Sequence, residues 1–144
     1  MKFVSHPYPR HIHEYLAKGG YAPKLLGYQE FDKLWNVVVM EYIENGKHFD
    51  KNEHKDLIPT LENAVKEMHS QDYVHGDLRT PNILVKDNKV FIVDFDWAGK
   101  EGEVFYSLLN PAAFDSECEK EGIRSGQQIL KNHDTFMINR LKRD

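Results

Sequence analysis

The feature that most constrains the fold is a polar loop joined to a tight apolar hairpin, "HGDLRTPNILVKDNKVFIVDF". Two apolar runs, "ILV" and "VFIV", flank Asp87 and Asn88, a residue pair typical of a hairpin turn. A hairpin returns the chain to its starting point, so Asn82 before the first strand and Asp94 after the second are expected side by side. The sequence therefore predicts two oxygen-bearing side chains at one end of a hairpin.

The polar residues around this hairpin match the needs of phosphoryl transfer, which requires a group near the attacking oxygen and oxygen ligands that hold Mg²⁺ on the phosphates. Asn82 and Asp94 offer the hard oxygen ligands that Mg²⁺ prefers. Asp77 would accept or orient the proton of an attacking hydroxyl group, and Arg79 would place a positive charge near the transferring phosphoryl group. Taken singly, these residues are more typical of capped turns and hairpin ends, and only their joint spacing favours the catalytic interpretation.

At these residues the sequence resembles the protein kinase superfamily, whose catalytic loop has the form H-R-D-L-x-x-x-N with D-F-G further along the chain. Here the two segments read "HGDLRTPN" and "DFD". Gly76 in place of the arginine and Asp96 in place of the last glycine resemble more closely the aminoglycoside phosphotransferase branch and the related fungal kinase-like proteins. Without that arginine, regulation through a phosphorylated activation loop is not expected.

The resemblance implies an α+β protein kinase-like fold that is N-terminally truncated. It implies a reduced small lobe of about three strands and one helix, and a shortened helical large lobe with the catalytic hairpin. Residues 1–43 would be the remnant of the small lobe and the hinge, and residues 44–144 the reduced large lobe, within one domain. The length of 144 residues suits a single domain of this kind.

The resemblance also implies a nucleotide site. "VVVMEYI" is similar to the strand and hinge that hold adenine, with Met40 as the gatekeeper and the backbone from Glu41 to Ile43 as the hydrogen-bonding edge, although an ordinary buried strand explains these side chains equally well. Lys2 in "MKFV" falls on the strand that carries the phosphate-binding lysine. Glu14 is the only acidic residue in the first predicted helix, and whether it pairs with that lysine is left open. The implied cofactors are ATP and Mg²⁺, so a nucleotide is the first expected partner.

Two further residues are expected to support the site without reacting. His75 is expected to pack beneath the catalytic loop rather than to transfer protons. Asp134 resembles the helical aspartate that holds the backbone of that loop, which is a structural role.

Periodicity predicts the remaining elements. Apolar residues fall at helical spacing in "PRHIHEYLAKGG", in residues 55–71 and in "QQILKNHDTFMINRL". "PKLLGYQEF" and "KLWNVVVMEYI" are β-rich runs, with a turn expected near Asp32. The acidic run "DSECEKEG", with the single cysteine Cys118, is expected to be a solvated loop.

Composition and charge argue against several classes of protein. The chain has 40% hydrophobic and 29% charged residues and no twenty-residue apolar run, so neither a membrane span nor extensive disorder is expected. The net charge of -4 is spread along the chain, so a nucleic-acid-binding groove is not expected. A single cysteine and a start without an apolar signal region favour an intracellular, cytoplasmic location.

No G-x-G-x-x-G motif occurs in the 144 residues, so we expect no glycine-rich loop over the phosphates, with weakened nucleotide binding and turnover. The "MKFV" strand would then be an unprotected sheet edge, which we expect a second copy of the chain to cover as a homodimer. Two functions stay open. One is a weakly active kinase-like phosphotransferase; the other is a catalytically inactive, pseudokinase-like binding or regulatory module that acts through protein-protein contacts.

Overall fold

The computed structural model describes residues 1–4, 7–31, 34–108 and 114–143. The turn predicted near Asp32 lies outside the described residues. Within these ranges the strands are β1 (Lys2–Val4), β2 (Leu25–Phe31), β3 (Trp35–Met40), β4 (Lys47–His48), β5 (Tyr73–Val74), β6 (Ile83–Lys86), β7 (Lys89–Ile92) and β8 (Gly99–Lys100). The α-helices are α1 (Arg10–Lys18), α2 (Lys51–His54), α3 (Ile58–Ser70), α4 (Ser116–Lys120) and α5 (Lys131–Arg143).

The first three strands form an antiparallel sheet in the order β1-β3-β2. The central strand β3 reads "WNVVVM", and its β-branched residues suit a strand with a neighbour on each side. Pairing sets Lys2 opposite Val38 and Phe3 opposite Val37. Helix α1 packs near this sheet and buries Ile12, His13 and Leu16. The predicted small lobe of three strands and one helix is therefore confirmed.

Helix α1 ends where its sequence predicts. Gly20 adopts φ +83°, its N–H donates to the carbonyl of Ala17, and the N–H of Tyr21 donates to the carbonyl of Leu16. This pair of bonds satisfies carbonyls at the helix end and requires a left-handed residue, which glycine supplies at little cost. Gly20 thus turns the chain toward β2.

Helix α3 confirms the helix predicted between residues 55 and 71, except that its first turn is a short 3-10 helix over Lys55–Leu57. The buried face of α3 consists of Ile58, Leu61, Ala64, Val65 and Met68. This one-sided apolar stripe packs against the larger hydrophobic core, which also receives side chains from α1, the hairpin and α5.

The predicted hairpin is also confirmed, with β6 and β7 paired from Ile83 and Ile92 to Lys86 and Lys89. Asp87 and Asn88 have φ values of 49° and 61°, the left-handed pair that a two-residue hairpin turn of this kind requires. The short strand β4 pairs with the outer side of β6. The hairpin is thereby held by β4 and fixes the start of the segment that follows β7.

The last third of the chain departs from the sequence prediction in one place. The acidic run predicted to be a loop contains helix α4, because the Asp115 carboxylate caps it by accepting from the N–H of Cys118 at 3.0 Å. Cys118 is buried, together with Val74 and Ile129, in a second hydrophobic cluster. The final helix forms as predicted but begins at Lys131, so Ile129 precedes it. No helix among the described residues is long and apolar enough to cross a membrane.

Candidate active site

The loop of residues 75–82 joins β5 to the hairpin and carries four of the predicted site residues. Its conformation follows from its sequence, since Gly76 adopts φ +85°, a left-handed value that suits glycine. A Cβ atom at this position would lie 3.0 Å from Cδ1 of Ile129. An arginine here would be both strained and crowded, which explains the glycine of "HGDL". Pro81 lies in the short 3-10 helix Thr80–Asn82 that leads into β6.

Asp134 fixes the start of this loop from helix α5. Its side chain is fully buried, with Oδ2 accepting from the N–H of His75 and Oδ1 from the N–H of Gly76, both at 2.9 Å. Oδ2 also lies 3.0 Å from Nε2 of His69, which must donate because a carboxylate only accepts. Three donors around one buried carboxylate hold two consecutive backbone groups in place.

His75 links the loop to the segment that carries Asp94. Its ring is fully buried, Nδ1 accepts from the N–H of Asp77 at 3.1 Å, and Nε2 lies 3.0 Å from the carbonyl of Val93. Nε2 must donate to that carbonyl, so the ring is the neutral Nε2–H tautomer. The ring also packs edge-on against Phe95, with centroids 5.5 Å apart. Both ring nitrogens of His75 are therefore used in hydrogen bonds within the protein.

The Asp77 carboxylate is held between two side chains of the same loop. Nε of Arg79 donates to Oδ1 at 2.6 Å, and Nδ2 of Asn82 donates to Oδ2 at 2.9 Å. The same Asn82 amide nitrogen donates to the Asp77 carbonyl at 2.8 Å. The hydrogen bond to Asp77 raises the pKa of the Arg79 guanidinium, which therefore stays charged. Because the nitrogen of the Asn82 amide is used within the loop, its oxygen is the atom suited to a cation.

Asp94 comes to the same end of the hairpin as Asn82. The N–H of Val93 donates to the Asn82 carbonyl at 2.9 Å, which extends the hairpin ladder by one step. Asp94 itself has φ +59°, and its Oδ1 accepts from the N–H of Asp96 at 3.3 Å. An amide oxygen and a carboxylate at neighbouring positions form a donor set that fits Mg²⁺ bound to phosphates.

Lys2 reaches this end of the hairpin from β1. Its Nζ lies 3.3 Å from Oδ1 of Asp94 and 2.7 Å from Oδ1 of Asp96. Burial on its own raises the pKa of Asp94, but the Lys2 charge and the Asp96 N–H outweigh it, so that pKa lies below its usual range. Burial likewise lowers the pKa of Lys2, and the contacts with Asp96 and Asp94 outweigh it in the opposite direction. Lys2 and Asp94 are therefore both charged at neutral pH.

Glu14 does not take part in this cluster. It forms an ion pair with Arg10 one turn earlier in α1, with Oε1 and Nε 2.9 Å apart, and its side chain is exposed. Sequence reasoning missed Asp96 as a contact of Lys2. The available signal was the second acid of "DFD", which follows Asp94 by two residues.

The predicted adenine edge lies where β3 ends. Met40 is the last residue of β3 and is partly buried, and Ile43 is buried in the turn beyond it. The N–H of Glu41 donates to the carbonyl of Lys24 at 2.8 Å, so this N–H is used within the protein. An adenine at this edge would therefore have to use other backbone groups of the predicted segment, such as the Glu41 carbonyl and the Ile43 N–H.

A pocket of about 310 Å³ beside the 75–82 loop is a further feature that the sequence did not indicate. Asp77 and Arg79 line one side of it, and Phe114, Cys118 and Arg140 line the other. Sγ of Cys118 lies 3.1 Å from Nη1 of Arg140, and burial raises the pKa of the thiol. No local sequence pattern indicates this pocket, because its lining residues come from segments far apart in the sequence.

Comparison with known proteins gives the family. The family model described as "Protein kinase domain" matches residues 12–105, which include the 75–82 loop, the hairpin and Asp94. A probable bifunctional tRNA threonylcarbamoyladenosine biosynthesis protein of Methanospirillum hungatei is 29% identical over 100 residues, covering 63% of this chain and 19% of that protein. The maternal embryonic leucine zipper kinase of Xenopus laevis is 31% identical over 136 residues, covering 81% of this chain and 21% of that protein.

Among solved structures, the Cydia pomonella granulovirus kinase PK-1 has a similar fold, with a TM-score of 0.73. The two are 16% identical, and the match covers 98% of this chain and 58% of that one. This likeness confirms the predicted reduced kinase-like fold and extends no further than the fold. The matches to the two curated relatives span about a fifth of their length. Since the family model covers more than half of the sequence, this chain belongs to the protein kinase domain family.

Proposed function

We propose that this chain is an ATP- and Mg²⁺-dependent phosphotransferase of the kinase type. The observation that carries the proposal is the convergence of Asp77, Asn82, Asp94 and Lys2 at one end of the hairpin, through the contacts given above. Each group matches a need of phosphoryl transfer, and the surrounding hydrogen bonds hold the loop residues in fixed positions.

In this proposal, bound Mg²⁺ would offset the charge of the phosphates, held by the Asn82 oxygen and the Asp94 carboxylate. Lys2 would donate to phosphate oxygens. Asp77 would orient the acceptor hydroxyl and take its proton as the hydroxyl oxygen bonds to the γ-phosphorus and the bond to the ADP oxygen breaks. Arg79 would hold the Asp77 carboxylate and add a positive charge beside the transferred group.

The adenine is proposed to lie against Met40 and the backbone of Glu41 to Ile43. The strand register supports this placement, because Lys2 on β1 pairs with Val38, two residues before Met40 on β3. Residues 1–43 and 44–144 would then form the two sides of the nucleotide site. For this chain taken alone, whose sequence contains no glycine-rich motif, we propose weak nucleotide binding and slow turnover.

We also propose that the chain stands nearer to the aminoglycoside phosphotransferase and fungal kinase-like branch than to kinases with an H-R-D loop. The support for this placement comes from two residues of the candidate site. Gly76 has a conformation and surroundings that disfavour an arginine, and Asp96 replaces the last glycine of D-F-G.

The test of the enzymatic proposal is a thermal shift with ATP plus Mg²⁺, compared with ATP alone. A ligand that binds only the folded state raises Tm. A free ligand concentration ten times Kd stabilises the folded state by about 1.4 kcal/mol, which raises Tm by a few degrees for a chain of this size. We expect the rise to require Mg²⁺ and to disappear in Asp94→Asn. Asp72→Asn, at an exposed ion pair with Lys131, is the control and should keep the rise. The absence of any shift at millimolar Mg·ATP would contradict the proposal.

A second candidate function, a pseudokinase-like binding module, is favoured by one surface. Phe3, Phe31 and Trp35 lie on the same face of the small sheet, since Phe3 pairs with Val37 and Phe31 with Trp35, and all three are at least half exposed. Within the described residues, β1 has a strand neighbour on one side only. An open strand edge beside exposed apolar side chains favours pairing with a second copy of the chain.

We propose that this edge forms a homodimer in which two β1 strands pair. Light scattering at micromolar concentration should give a dimer mass, and Phe3→Lys should shift it toward the monomer without changing the fold seen by circular dichroism. Lys18→Ala, on the exposed end of α1, serves as a matched surface control. A monomer mass for the unchanged chain at every concentration would contradict the dimer.

A further inference from the structure

Two carboxylates, rather than one, contact Lys2. Asp96 lies nearer, with Oδ1 2.7 Å from Nζ, while Oδ1 of Asp94 lies at 3.3 Å. The three side chains are exposed to a similar extent, from 34% to 38%, but Oδ1 of Asp96 is itself buried and has no hydrogen-bond partner among the described residues, so the Lys2 charge is what compensates it. If Asp94 is committed to a cation, Asp96 is the carboxylate left to hold Lys2.

The residue between the two acids fixes their geometry. Phe95 is buried and stacks on His13 with ring centroids 4.8 Å apart, while its edge contact with His75 anchors it from the other side. With Phe95 fixed, Asp94 and Asp96 both project toward Lys2, and the Asp96 N–H donates back to Asp94. The spacing of the two acids is therefore set by the core.

Helix α1, whose Glu14 the sequence left open as a partner of Lys2, faces elsewhere. The buried face of α1 consists of Ile12, His13 and Leu16, and its one carboxylate, Glu14, points to solvent, where it pairs with Arg10. The ammonium group of Lys2 is instead satisfied by the segment after the hairpin.

We propose that Asp96 is the positioning residue that directs Lys2 toward the phosphates, in place of an acidic residue on α1. The contact between Asp96 and Lys2 is given by the ion-pair geometry, and its effect on nucleotide binding rests on the proposed function. Asp96 acts through Lys2 and need not touch the nucleotide. Holding the ammonium group between two carboxylates limits its rotamers before a ligand arrives, which lowers the entropy that binding must remove.

The first test needs no nucleotide. It is a double-mutant cycle on thermal stability with Lys2→Met, Asp96→Asn and the pair together, repeated with Glu14→Gln in place of Asp96→Asn. We expect Lys2→Met and Asp96→Asn each to lower Tm by about 1–2 °C and to be non-additive, because both remove the same partly exposed Lys2–Asp96 ion pair. Lys2→Met and Glu14→Gln should be additive. Additivity in the first cycle, or coupling in the second, would overturn the inference.

The second test measures Mg·ATP affinity by calorimetry. Asp96→Asn should raise Kd about three- to tenfold, Asp96→Glu should recover part of the loss, and in the Lys2→Met background Asp96→Asn should cause no further change. A loss that persists in that background would instead make Asp96 a metal ligand and overturn the positioning role. Asp72→Asn is the matched control, since Asp72 also forms a 2.7 Å ion pair with a lysine, Lys131, and should leave Kd unchanged.

The two tests separate failure of this inference from failure of the proposed function. If the unchanged chain binds no Mg·ATP, the proposed function fails, and the stability cycle alone still decides whether Asp96 holds Lys2. If Mg·ATP binds and the cycles show no coupling between Lys2 and Asp96, the inference fails and the phosphotransferase proposal stands.

Discussion

The 75–82 loop and strand β1 both contribute to the same candidate site, but they are held in different ways. The loop is fixed by buried groups, with Asp134 and His75 fully buried and linked to its backbone. Strand β1 has three residues, one strand neighbour among the residues that the structure describes, and a lysine whose side chain is about a third exposed. The hairpin side of the site is thus part of the core, whereas the Lys2 side is a surface element that contacts it. Ligand-dependent adjustment is therefore expected on the Lys2 side, where fewer contacts oppose it.

Removing the support beneath the loop should have the largest effect. Asp134→Ala leaves the N–H groups of His75 and Gly76 buried without an acceptor, and each such group costs about 1–3 kcal/mol. We expect the free energy of unfolding to fall by about 3 kcal/mol or more in urea denaturation. The exposed variant Asp72→Asn should change it by less than about 0.5 kcal/mol. A loss below about 1 kcal/mol for Asp134→Ala would mean that the loop is held by other contacts.

A smaller effect is expected from a methyl group at Gly76. Gly76 and Gly20 have nearly equal φ values, +85° and +83°, but a Cβ at Gly76 meets Ile129 at 3.0 Å, and one at Gly20 has no atom within 4 Å. Both alanine variants bear the left-handed strain of about 1 kcal/mol. Gly76→Ala should lose about 1 kcal/mol more than Gly20→Ala by denaturant unfolding. Equal losses would show that the loop or Ile129 shifts to accommodate the methyl group, which would contradict a rigidly held loop.

The difference between the core-held hairpin side of the site and strand β1 also explains which parts of the structure could be predicted from the sequence. The hairpin, α1, α3 and α5 have strong local signals: a left-handed turn pair, a glycine stop and one-sided apolar faces. The position of Asn82 and Asp94 at one end of the hairpin follows from those local rules, because the two residues flank paired strands. Helix α4 was missed because an Asp115 cap, rather than apolar periodicity, begins it.

The Lys2 side of the site was less predictable for a physical reason. The contact between Lys2 and Asp94 joins residues 92 apart in the sequence, and the choice of Asp96 over Glu14 depends on which way α1 is rotated against the core. That rotation is set by which of its residues are buried, here Ile12, His13 and Leu16. A single-sequence pattern gives the apolar face of a helix but not the neighbour that an exposed acid will find.

The pH dependence of stability tests how helix α1 is held against Phe95, the residue between Asp94 and Asp96. His13 of α1 is fully buried, its Nδ1 lies 2.7 Å from the Tyr8 hydroxyl, its Nε2 lies 2.7 Å from the Pro23 carbonyl, and its ring stacks on Phe95. Burial lowers the pKa of His13, with the hydrogen bond to Pro23 opposing this only in part. The folded state therefore binds this proton less readily than the unfolded state, so its contribution to stability is complete above about pH 6.5 and is lost as the pH falls below it.

We expect the free energy of unfolding, measured in urea between pH 8 and pH 5, to fall with a slope of at most about 1.4 kcal/mol per pH unit from this one group. His13→Gln should reduce the slope while lowering stability at pH 8. His133, whose pKa burial also lowers, accounts for a remaining dependence, which His133→Gln should reduce separately. A slope unchanged in His13→Gln would show that the α1 contact with Phe95 does not depend on the neutral ring.

The smallest effect on stability is expected at Lys2, although its effect on nucleotide binding should be large. The Lys2 ion pairs are more than a third exposed and screened by solvent, so Lys2→Met should change the free energy of unfolding by no more than about 0.5 kcal/mol. Hydrogen exchange offers a direct measure of the same difference. Amides of β1 should exchange through local opening, whereas the N–H groups of His75 and Gly76, which donate to Asp134, should exchange only near the free energy of global unfolding. If β1 amides are as protected as those of the loop, both sides of the site are part of one cooperative core, and Lys2 is held in place as firmly as the 75–82 loop.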